Sequence, residues 1–347
     1  MIKLADLFPG ILVSLCAAFV FAPLLTRLAL RVGLVDMPGS QPHKWHSAPT
    51  PMAGGTILAL ALLVSYLTVL PAPDPGVRGI LLAGAVVYLW GLWDDRFALP
   101  AWAKLLGQIL AALILWFAGI RVHLLGSDWL DFGITVFWIV GMVNAYNFVD
   151  SMDGLALGLA AIGAAFFMLV TVDSQQPALA ALSAAIVGAT IGAFFYNATP
   201  ARMFIGDSGS QLLGLLLGAV GMAYVPIGLN NAVSWFTPIL VLGVPVFNMV
   251  LVVSSRLWRG LRVYQAHKDH VSHRLVHLGL DKTRTVLVIQ LTAIVLGLTA
   301  FIALGGTPLT ANLLFGLVVL TGIVVIIFLE RRYPREESGA EQAGGGG

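Results

Sequence analysis

The sequence predicts an all-α, polytopic integral membrane protein with about eleven transmembrane helices. Of its 347 residues, 59% are hydrophobic and only 10% are charged, and the mean hydropathy is +0.92. A single soluble core could not hide that much apolar surface from water. Hydrocarbon offers the backbone no hydrogen-bond partners, so a span must be a helix or part of a closed barrel, and long continuous apolar runs favour helices.

Eleven segments are apolar over about the length of a bilayer, where a span needs roughly 20 residues. In chain order they cover residues 7–30, 52–71, 79–93, 102–120, 132–148, 154–172, 176–195, 208–227, 233–254, 285–305 and 309–329. The third is short, and the first is too long for the apolar part of a cleavable signal peptide. We expect one transmembrane catalytic domain over 1–330, followed by a disordered tail over 331–347 that ends in four glycines.

The basic residues predict how the chain is inserted. Sixteen of the 19 Lys and Arg residues fall on one side of the eleven spans, and Lys3, Arg78 and Arg121 fall on the other. The positive-inside rule assigns the crowded side to the cytoplasm, which puts the N-terminus outside and the C-terminus inside. The acids and histidines considered below fall on this same side, so we expect an active site on the cytoplasmic face of the inner (cytoplasmic) membrane.

The third span ends in two adjacent carboxylates, Asp94 and Asp95, at the edge of the hydrocarbon. Neighbouring anions raise each other's pKa unless they share a cation or a proton, which suits a general base or a metal ligand. The alternative is a solvated helix C-terminus, although acids in that position oppose the helix dipole.

A second polar segment follows the fifth span, where Asn144, Asn147 and either Asp150 or Asp153 recur at steps of three residues. This spacing lines one face of a helix end with hard oxygen ligands and hydrogen-bond partners. Its amide and carboxylate groups are suited to a metal ion and to the edge of a nucleotide base.

Another acid, Asp207, precedes the eighth span in the segment Phe204-Ile-Gly-Asp-Ser-Gly. An Asp at a helix start can cap free backbone N–H groups. It can also share a divalent cation with the other acids, which would explain why so many anions gather on one side.

Basic residues accompany these acids. The segment His270-Val-Ser-His273-Arg274 predicts an anion-binding surface, because a guanidinium can bind two phosphate oxygens at once. A zinc site is the alternative, since His277 extends the helical spacing of the histidines. A single Lys at an interface usually extends to the headgroups, whereas Lys44 and Lys104 near carboxylates indicate a pyrophosphate site with a metal ion. The sequence has no P-loop or dinucleotide-binding glycine motif.

Taken in order, these motifs resemble those of the polyprenyl-phosphate N-acetylhexosamine-1-phosphate transferases, glycosyltransferase family 4. The resemblance covers nearly the whole chain. It rests on five blocks: His43-Lys-x-His46, Asp94-Asp95, Asn144-x-x-Asn147-x-x-Asp150-x-x-Asp153-Gly, Phe204-x-Gly-Asp207-Ser-Gly, and the segment that ends in His273-Arg274-Leu.

The resemblance implies a reaction and its partners. A membrane-embedded polyprenyl phosphate, in bacteria undecaprenyl phosphate, attacks the sugar-proximal phosphate of a cytoplasmic UDP-N-acetylhexosamine, for which UDP-N-acetylglucosamine is the first expectation. UMP leaves, and a lipid pyrophosphoryl sugar remains in the membrane. Membrane lipid surrounds the protein, no nucleic acid takes part, and a homodimer is compatible with the resemblance.

The resemblance also implies residue roles. Asp94 and Asp95 would be catalytic, either as a base on the lipid phosphate or as a covalent nucleophile. Asp207 and Asn147 would hold Mg²⁺, for which Mn²⁺ could substitute. The nucleotide would contact Asp153, Asp150, Phe204 and Asn144, and the phosphates and sugar would contact Lys44, Lys104, His270, His273 and Arg274. Ser272 departs from the family pattern, since well-known members have a histidine at that place in His-x-His-His.

Two alternatives stay open at this stage. The same reaction could use UDP-N-acetylgalactosamine, a UDP-diamino sugar or the UDP-N-acetylmuramoyl-pentapeptide as donor. An ion-coupled secondary transporter would also have many spans and intramembrane acids, but transporters place their charges near the midplane and often contain internal repeats. The acids of this chain instead cluster at span ends.

Overall fold

A computed structural model describes residues 1–38, 48–70, 74–226, 235–262 and 269–333 as a helical bundle. Its helices are α1 (Phe8–Val32), α2 (Gly54–Thr68), α3 (Pro75–Phe97), α4 (Ala101–Phe117), α5 (Asp128–Val149), α6 (Leu155–Asp173), α7 (Pro177–Asn197), α8 (Gly206–Ala223), α9 (Thr237–Val241), α10 (Gly243–Trp258), α11 (Val271–His277), α12 (Lys282–Leu304) and α13 (Pro308–Arg332). A 3-10 turn, Leu4–Leu7, precedes α1, and the short strands β1 (Val35–Asp36) and β2 (Thr50–Pro51) pair antiparallel.

The all-α membrane class is confirmed. Each of the eleven predicted spans overlaps a helix, the ninth being divided between α9 and α10. Within the described ranges, seven helices are long and apolar enough to cross a bilayer. The third span is longer than expected, because α3 continues past the apolar run through Asp94 and Asp95 and reaches 23 residues. At the other end of the chain, α13 extends to Arg332, into the segment expected to be a tail, and 334–347 lie outside the described residues.

The centre of the bundle is α8, whose residues from Ser208 to Gly221 are all buried. It packs mainly against α3 and α5, with α2 and α6 completing its surroundings, while α1 packs along α7 and α12 along α6. The last helix, α13, lies at the periphery, and its buried residues are Ala311 and Leu329. The polar side chains in the first turn of α8 therefore lie among other helices.

Gly91 sets the distance between α3 and α8. A Cβ added there would lie 2.6 Å from the Cα of Ser208 and 2.8 Å from the carbonyl oxygen of Asp207, so the two backbones are in contact. Asp94 and Asp95 follow within one turn of α3. This crossing therefore brings both carboxylates to the start of α8.

The segment around β2 fixes the chain just before α8. The amide of Phe204 donates to the carbonyl of Pro51 at 2.9 Å, and the amides of Gly54 and Gly55 donate to the carbonyls of Phe204 and Ile205, both at 3.0 Å. The approach to α8 is thus anchored by backbone hydrogen bonds to the segment that leads into α2.

We predict that Gly91→Ala destabilises the protein, because the new methyl group meets backbone atoms that cannot rotate away. Overpacking of this kind typically costs about 1–3 kcal/mol. The measurement is the melting temperature of the detergent-purified protein. The matched control is Gly133→Ala in α5, where an added Cβ meets nothing within 4 Å. Equal melting temperatures for the two variants would contradict the close α3–α8 crossing.

Candidate active site

Asp95 caps the amino end of α8. Its carboxylate accepts hydrogen bonds from the backbone amides of Asp207 at 2.7 Å and Ser208 at 3.1 Å, and from the Ser208 hydroxyl at 2.6 Å. The first amides of a helix have no partner within it and favour a negative charge. From the sequence, Asp207 was the residue considered as the cap of this helix; the structure assigns that contact to Asp95, on a different helix.

Gly206 makes this contact possible. Its φ is +68°, and an added Cβ would lie 2.6–2.9 Å from the carboxyl atoms of Asp95. A side chain would be strained there and would also displace the carboxylate. The absence of a side chain at Gly206 therefore lets the Asp95 carboxylate of α3 reach the start of α8.

A cation lies between the other two carboxylates. The ammonium of Lys104 is 2.7 Å from Oδ2 of Asp207 and also forms an ion pair with Asp94, which is buried. Asp94 additionally accepts the amide of Leu99 at 2.7 Å. These residues come from α3, α4 and α8, so the cluster of Asp94, Lys104 and Asp207, hereafter the acidic cluster, joins three helix ends. Buried or half-buried charges of this kind need such compensation.

Trp90 positions α4 for this contact. Its indole N–H donates to the carbonyl of Ala103 at 2.8 Å, and Gly107 leaves room for the indole ring, which an added Cβ would approach to 2.5 Å. The residue after Ala103 is Lys104. An aromatic residue that the sequence analysis did not single out therefore places the cation of the cluster.

The two asparagines of α5 have separate environments. The amide nitrogen of Asn147 donates to Oδ1 of Asp207 at 2.9 Å and to the Ser210 hydroxyl at 3.1 Å. Asn144 faces the buried Gln108 of α4, to which it donates at 2.7 Å. Asn147 thus contacts the acidic cluster directly, whereas the side chain of Asn144 is paired with Gln108.

The two later acids of this motif lie beyond the helix, because α5 ends at Val149 and Asp150 is its C-cap residue. Burial, followed by the charges of Asp207 and Asp95, raises the pKa of Asp150 well above its ordinary value. Asp153 accepts the amide of Ala201 at 3.1 Å, which ties this turn to the segment before α8.

The histidines lie beside the carboxyl end of α5. His270 precedes α11, and its ring centroid is 5.5 Å from that of Phe148. His273 is buried, with its ring centroid 5.9 Å from that of His270. His277 points elsewhere, against the ring of Tyr333 at 5.5 Å. His277 therefore does not join the other two histidines, as the zinc alternative would require. Among the described residues, no three His, Cys, Asp or Glu side chains are grouped closely enough to hold a metal ion by themselves.

Ser272, the residue that departs from the family's histidine pattern, is fully buried. Its hydroxyl lies 2.7 Å from that of Ser151, in the turn after α5. Serine at this place therefore contacts protein, and it links α11 to the turn that carries Asp150 and Asp153.

Arg274 is also enclosed by protein. Its guanidinium donates to the carbonyl of Asp269 at 2.9 Å, the hydroxyl of Ser255 at 2.8 Å and the carboxylate of Glu330 at 2.7 Å. Arg256, beside it, binds the Asp269 carboxylate through two nitrogens at 2.7 and 2.8 Å. Although burial acts to raise it, the pKa of Asp269 is held below its ordinary value by these hydrogen bonds.

The donor set of the acidic cluster suits Mg²⁺. Asp94 and Asp207 are close enough to share one cation, the Lys104 ammonium, and Mg²⁺ prefers carboxylate and carbonyl oxygens. Asn147 can present its oxygen to the same space by turning its amide over. Metal binding at Asp207 and Asn147 stays a prediction.

The structure thus brings Asp94, Asp95, Lys104, Asn147 and Asp207 together, with the α5–α6 turn and the histidines nearby. Lys44 lies outside the described residues. The contacts of Phe204 given above are made by its backbone, and stacking of its ring on uracil stays a prediction. The residues that sequence reasoning missed are Trp90, which positions Lys104, and partners of the expected residues: Gln108, Ser151, Ser208, Ser210, Ser255, Asp269 and Glu330. Apart from Ser208, none of them is a defined position of the five motif blocks, so only the three-dimensional contacts identify their roles.

Comparisons with known proteins identify the family of the chain. Residues 77–225 match the model of glycosyl transferase family 4. The chain is 32% identical over 361 residues to a Mycobacterium tuberculosis protein named decaprenyl-phosphate N-acetylglucosaminephosphotransferase, covering 93% of this chain and 89% of the relative. It is 28% identical over 326 residues to a Bacillus subtilis protein named probable undecaprenyl-phosphate N-acetylglucosaminyl 1-phosphate transferase, covering 90% and 89%.

A further relative differs in the sugar. A Limosilactobacillus fermentum protein named phospho-N-acetylmuramoyl-pentapeptide-transferase is 32% identical over 234 residues, which cover 60% of this chain and 73% of the relative. The resemblance drawn from the motifs is confirmed by these matches: the chain belongs to glycosyl transferase family 4.

Proposed function

We propose that this protein transfers N-acetylglucosamine 1-phosphate from UDP-N-acetylglucosamine to undecaprenyl phosphate. The products are UMP and undecaprenyl-pyrophosphoryl-N-acetylglucosamine, and the step begins the membrane stage of cell-envelope glycan synthesis. The observation that carries the proposal is the acidic cluster, in which Asp94 and Asp207 share the cation of Lys104 at the ends of three helices. Such a site can hold a pyrophosphate and a divalent cation where lipid and water meet.

We further propose that all eleven segments cross the inner membrane, with the N-terminus outside and the C-terminus in the cytoplasm. The acidic cluster then faces the cytoplasm, where UDP-sugars are found. The distribution of Lys and Arg supports this orientation. Residues 1–330 act as one catalytic domain, and we assign no catalytic role to 331–347.

The donor sugar is proposed from the relatives. Those named for N-acetylglucosamine align with 90% or more of this chain, whereas three relatives named for the muramoyl-pentapeptide align with 60%, 75% and 65%. Donors with N-acetylgalactosamine, a diamino sugar or the muramoyl-pentapeptide are outcomes that the assay below distinguishes.

The proposed chemistry is an in-line displacement at the sugar-proximal phosphorus. An oxygen of the lipid phosphate forms the new P–O bond, the P–O bond to UMP breaks, and the bond between sugar and phosphate is kept. Asp207 and Asn147 would hold Mg²⁺, which when bound neutralises charge on the pyrophosphate. Lys104 adds positive charge at the same place, and the turn with Asp150 and Asp153 would bind the uracil edge.

Asp94 and Asp95 have different proposed roles. Asp94 lies in the acidic cluster, where it can accept a proton from the lipid phosphate or orient it. Asp95 instead places its carboxylate on the amides at the start of α8, which supports a role in positioning Asp207. Direct attack by the lipid phosphate is favoured over a covalent phospho-enzyme, since a phosphate monoester is already a competent nucleophile.

The first prediction of this proposal concerns the overall reaction. The detergent-purified protein should release UMP when given undecaprenyl phosphate, UDP-N-acetylglucosamine and Mg²⁺, and EDTA or omission of the lipid should stop the release. Parallel assays with the other UDP-sugars identify the donor. Absence of UMP with every UDP-N-acetylhexosamine, from protein that melts cooperatively, would refute the proposed reaction.

The second prediction concerns the metal. Asp207→Asn keeps the shape of the side chain but removes a charged oxygen ligand, so turnover should fall at least about 100-fold at ordinary Mg²⁺ concentrations and recover in part as Mg²⁺ is raised. The control is Asp128→Asn, an exposed carboxylate paired with Arg121 at 3.6 Å, which should leave turnover unchanged. Normal turnover of Asp207→Asn with an unaltered Mg²⁺ dependence would exclude Asp207 as a ligand.

The third prediction separates the two neighbouring acids. Asp95→Asn places an amide N–H group against backbone donors, so the melting temperature should fall, consistent with a lost cap that costs about 0.5–2 kcal/mol. Asp94→Asn can keep the Leu99 hydrogen bond through its oxygen and leaves Lys104 paired with Asp207, so the melting temperature should fall less than for Asp95→Asn, while kcat falls about 10²-fold or more. Both quantities are measured for each variant. A stable Asp95→Asn, or an Asp94→Asn with normal kcat, contradicts the assignment for that residue.

A further inference from the structure

The peripheral helix α13 is attached to the bundle by a buried polar contact near its end. Glu330 is the third-last residue of α13, and its side chain is 17% exposed. One carboxylate oxygen accepts from Arg259 at 2.8 and 2.9 Å, and the other accepts from Arg274 at 2.7 Å. A helix that contributes few buried apolar side chains therefore contributes a carboxylate that two arginines share.

Glu330 compensates the charge of Arg274. The Arg274 side chain is 1% exposed, and its other described partners are neutral: the Ser255 hydroxyl, the Asp269 carbonyl and the ring of Tyr333, whose centroid is 5.0 Å from the guanidinium carbon. The Asp269 carboxylate is bound by Arg256. A buried guanidinium is costly without a nearby negative charge, so the position of Arg274 depends on Glu330.

Arg274 belongs to the short helix that carries the histidines. With seven residues, α11 is too short to be stable alone, and contacts with the rest of the protein must hold it. One side of it is held by Arg274 and by Asn248 of α10, which accepts the amide of Val271 at 2.9 Å. The other side meets the end of α5, where His270 packs against Phe148 and Ser272 contacts Ser151. Asn147 and Asp150, next along the chain to Phe148 and Ser151, connect this contact to the acidic cluster and its turn.

We propose that Glu330 is a positioning residue for the donor side of the active site: by holding Arg274, it presses α11 against the end of α5 and places His270 and His273 for the phosphate and sugar of the UDP-sugar. The inference deepens the proposed function and rests on it for the identity of the ligand. The placement of α11 itself does not depend on the reaction, and it can be measured separately.

A disulfide reports the placement without any assay of activity. In a Cys16→Ala background, Ser151→Cys and Ser272→Cys put two thiols where the hydroxyls are now 2.7 Å apart, close to the 2.05 Å of a disulfide. We expect rapid cross-linking with copper phenanthroline as oxidant. Adding Glu330→Gln should slow it about fivefold or more, because the uncompensated Arg274 displaces α11.

The control is Asp281→Asn, which makes the same carboxylate-to-amide change at the start of α12. Asp281 forms an exposed ion pair with Arg284 at 3.1 Å, and asparagine can still cap the helix. It should change the cross-linking rate by less than about twofold. If the cysteine pair forms no disulfide, or if it forms one equally fast with Glu330→Gln, the inference is wrong.

Kinetics then connect placement with the donor. Glu330→Gln, without the cysteine pair, should raise KM for UDP-N-acetylglucosamine about fivefold or more, while KM for undecaprenyl phosphate changes by less than about twofold. A loss of stability or kcat with both KM values unchanged would show that Glu330 has only a structural role.

If Glu330→Gln does not fold, Glu330→Asp is tested instead. This variant keeps the charge but shortens the side chain by one methylene, and slower cross-linking is again expected. A wild-type protein that releases no UMP refutes the proposed reaction alone, since the cross-linking result still decides whether Glu330 places α11.

Discussion

The arrangement of the site depends on one interaction, the binding of the Asp95 carboxylate to the first amides of α8. That helix is buried from Ser208 to Gly221, and the first N–H groups of a helix have no partner within it. A carboxylate from α3 satisfies them, and the crossing at Gly91 brings it within reach. Once α3 and α8 are joined in this way, Asp94 and Asp207 are neighbours, and Lys104 follows as the cation between them.

Several other buried and half-buried charges near the site are compensated by opposite charges. Lys104 is shared by two carboxylates, Glu330 is shared by two arginines, and Arg256 and Asp269 form a closed pair. These ion pairs thus form two sets. One is the acidic cluster, and the other consists of Arg256, Arg259, Arg274, Asp269 and Glu330 around α11. The first contains a half-buried lysine that a substrate could reach, whereas the arginines of the second set are directed at protein atoms.

The sequence predicted the helical class, apolar segments that each overlap a helix, and most of the acidic cluster, because apolar runs and adjacent carboxylates are local signals. It could not distinguish Asp94 from Asp95, since their difference lies in which helix start each one meets. It also could not reveal the hydrogen-bond partners of Arg274, which are Ser255, the Asp269 carbonyl and Glu330; a phosphate or sugar contact of Arg274 stays a prediction. Partners separated by tens of residues in the chain leave no pattern in a single sequence. Ser151 and Ser272 are 121 positions apart, and Arg274 and Glu330 are 56 apart.

The enclosure of α8 has a mechanical consequence. A bilayer that is thicker or thinner than the hydrophobic length of a protein is accommodated by tilting of the helices that touch it. In this protein α1 and α13 present large apolar side chains to the lipid, whereas α8 presents its side chains to other helices. Adjustment to a changing membrane can therefore take place in the outer helices while the carboxylates at the start of α8 keep their spacing.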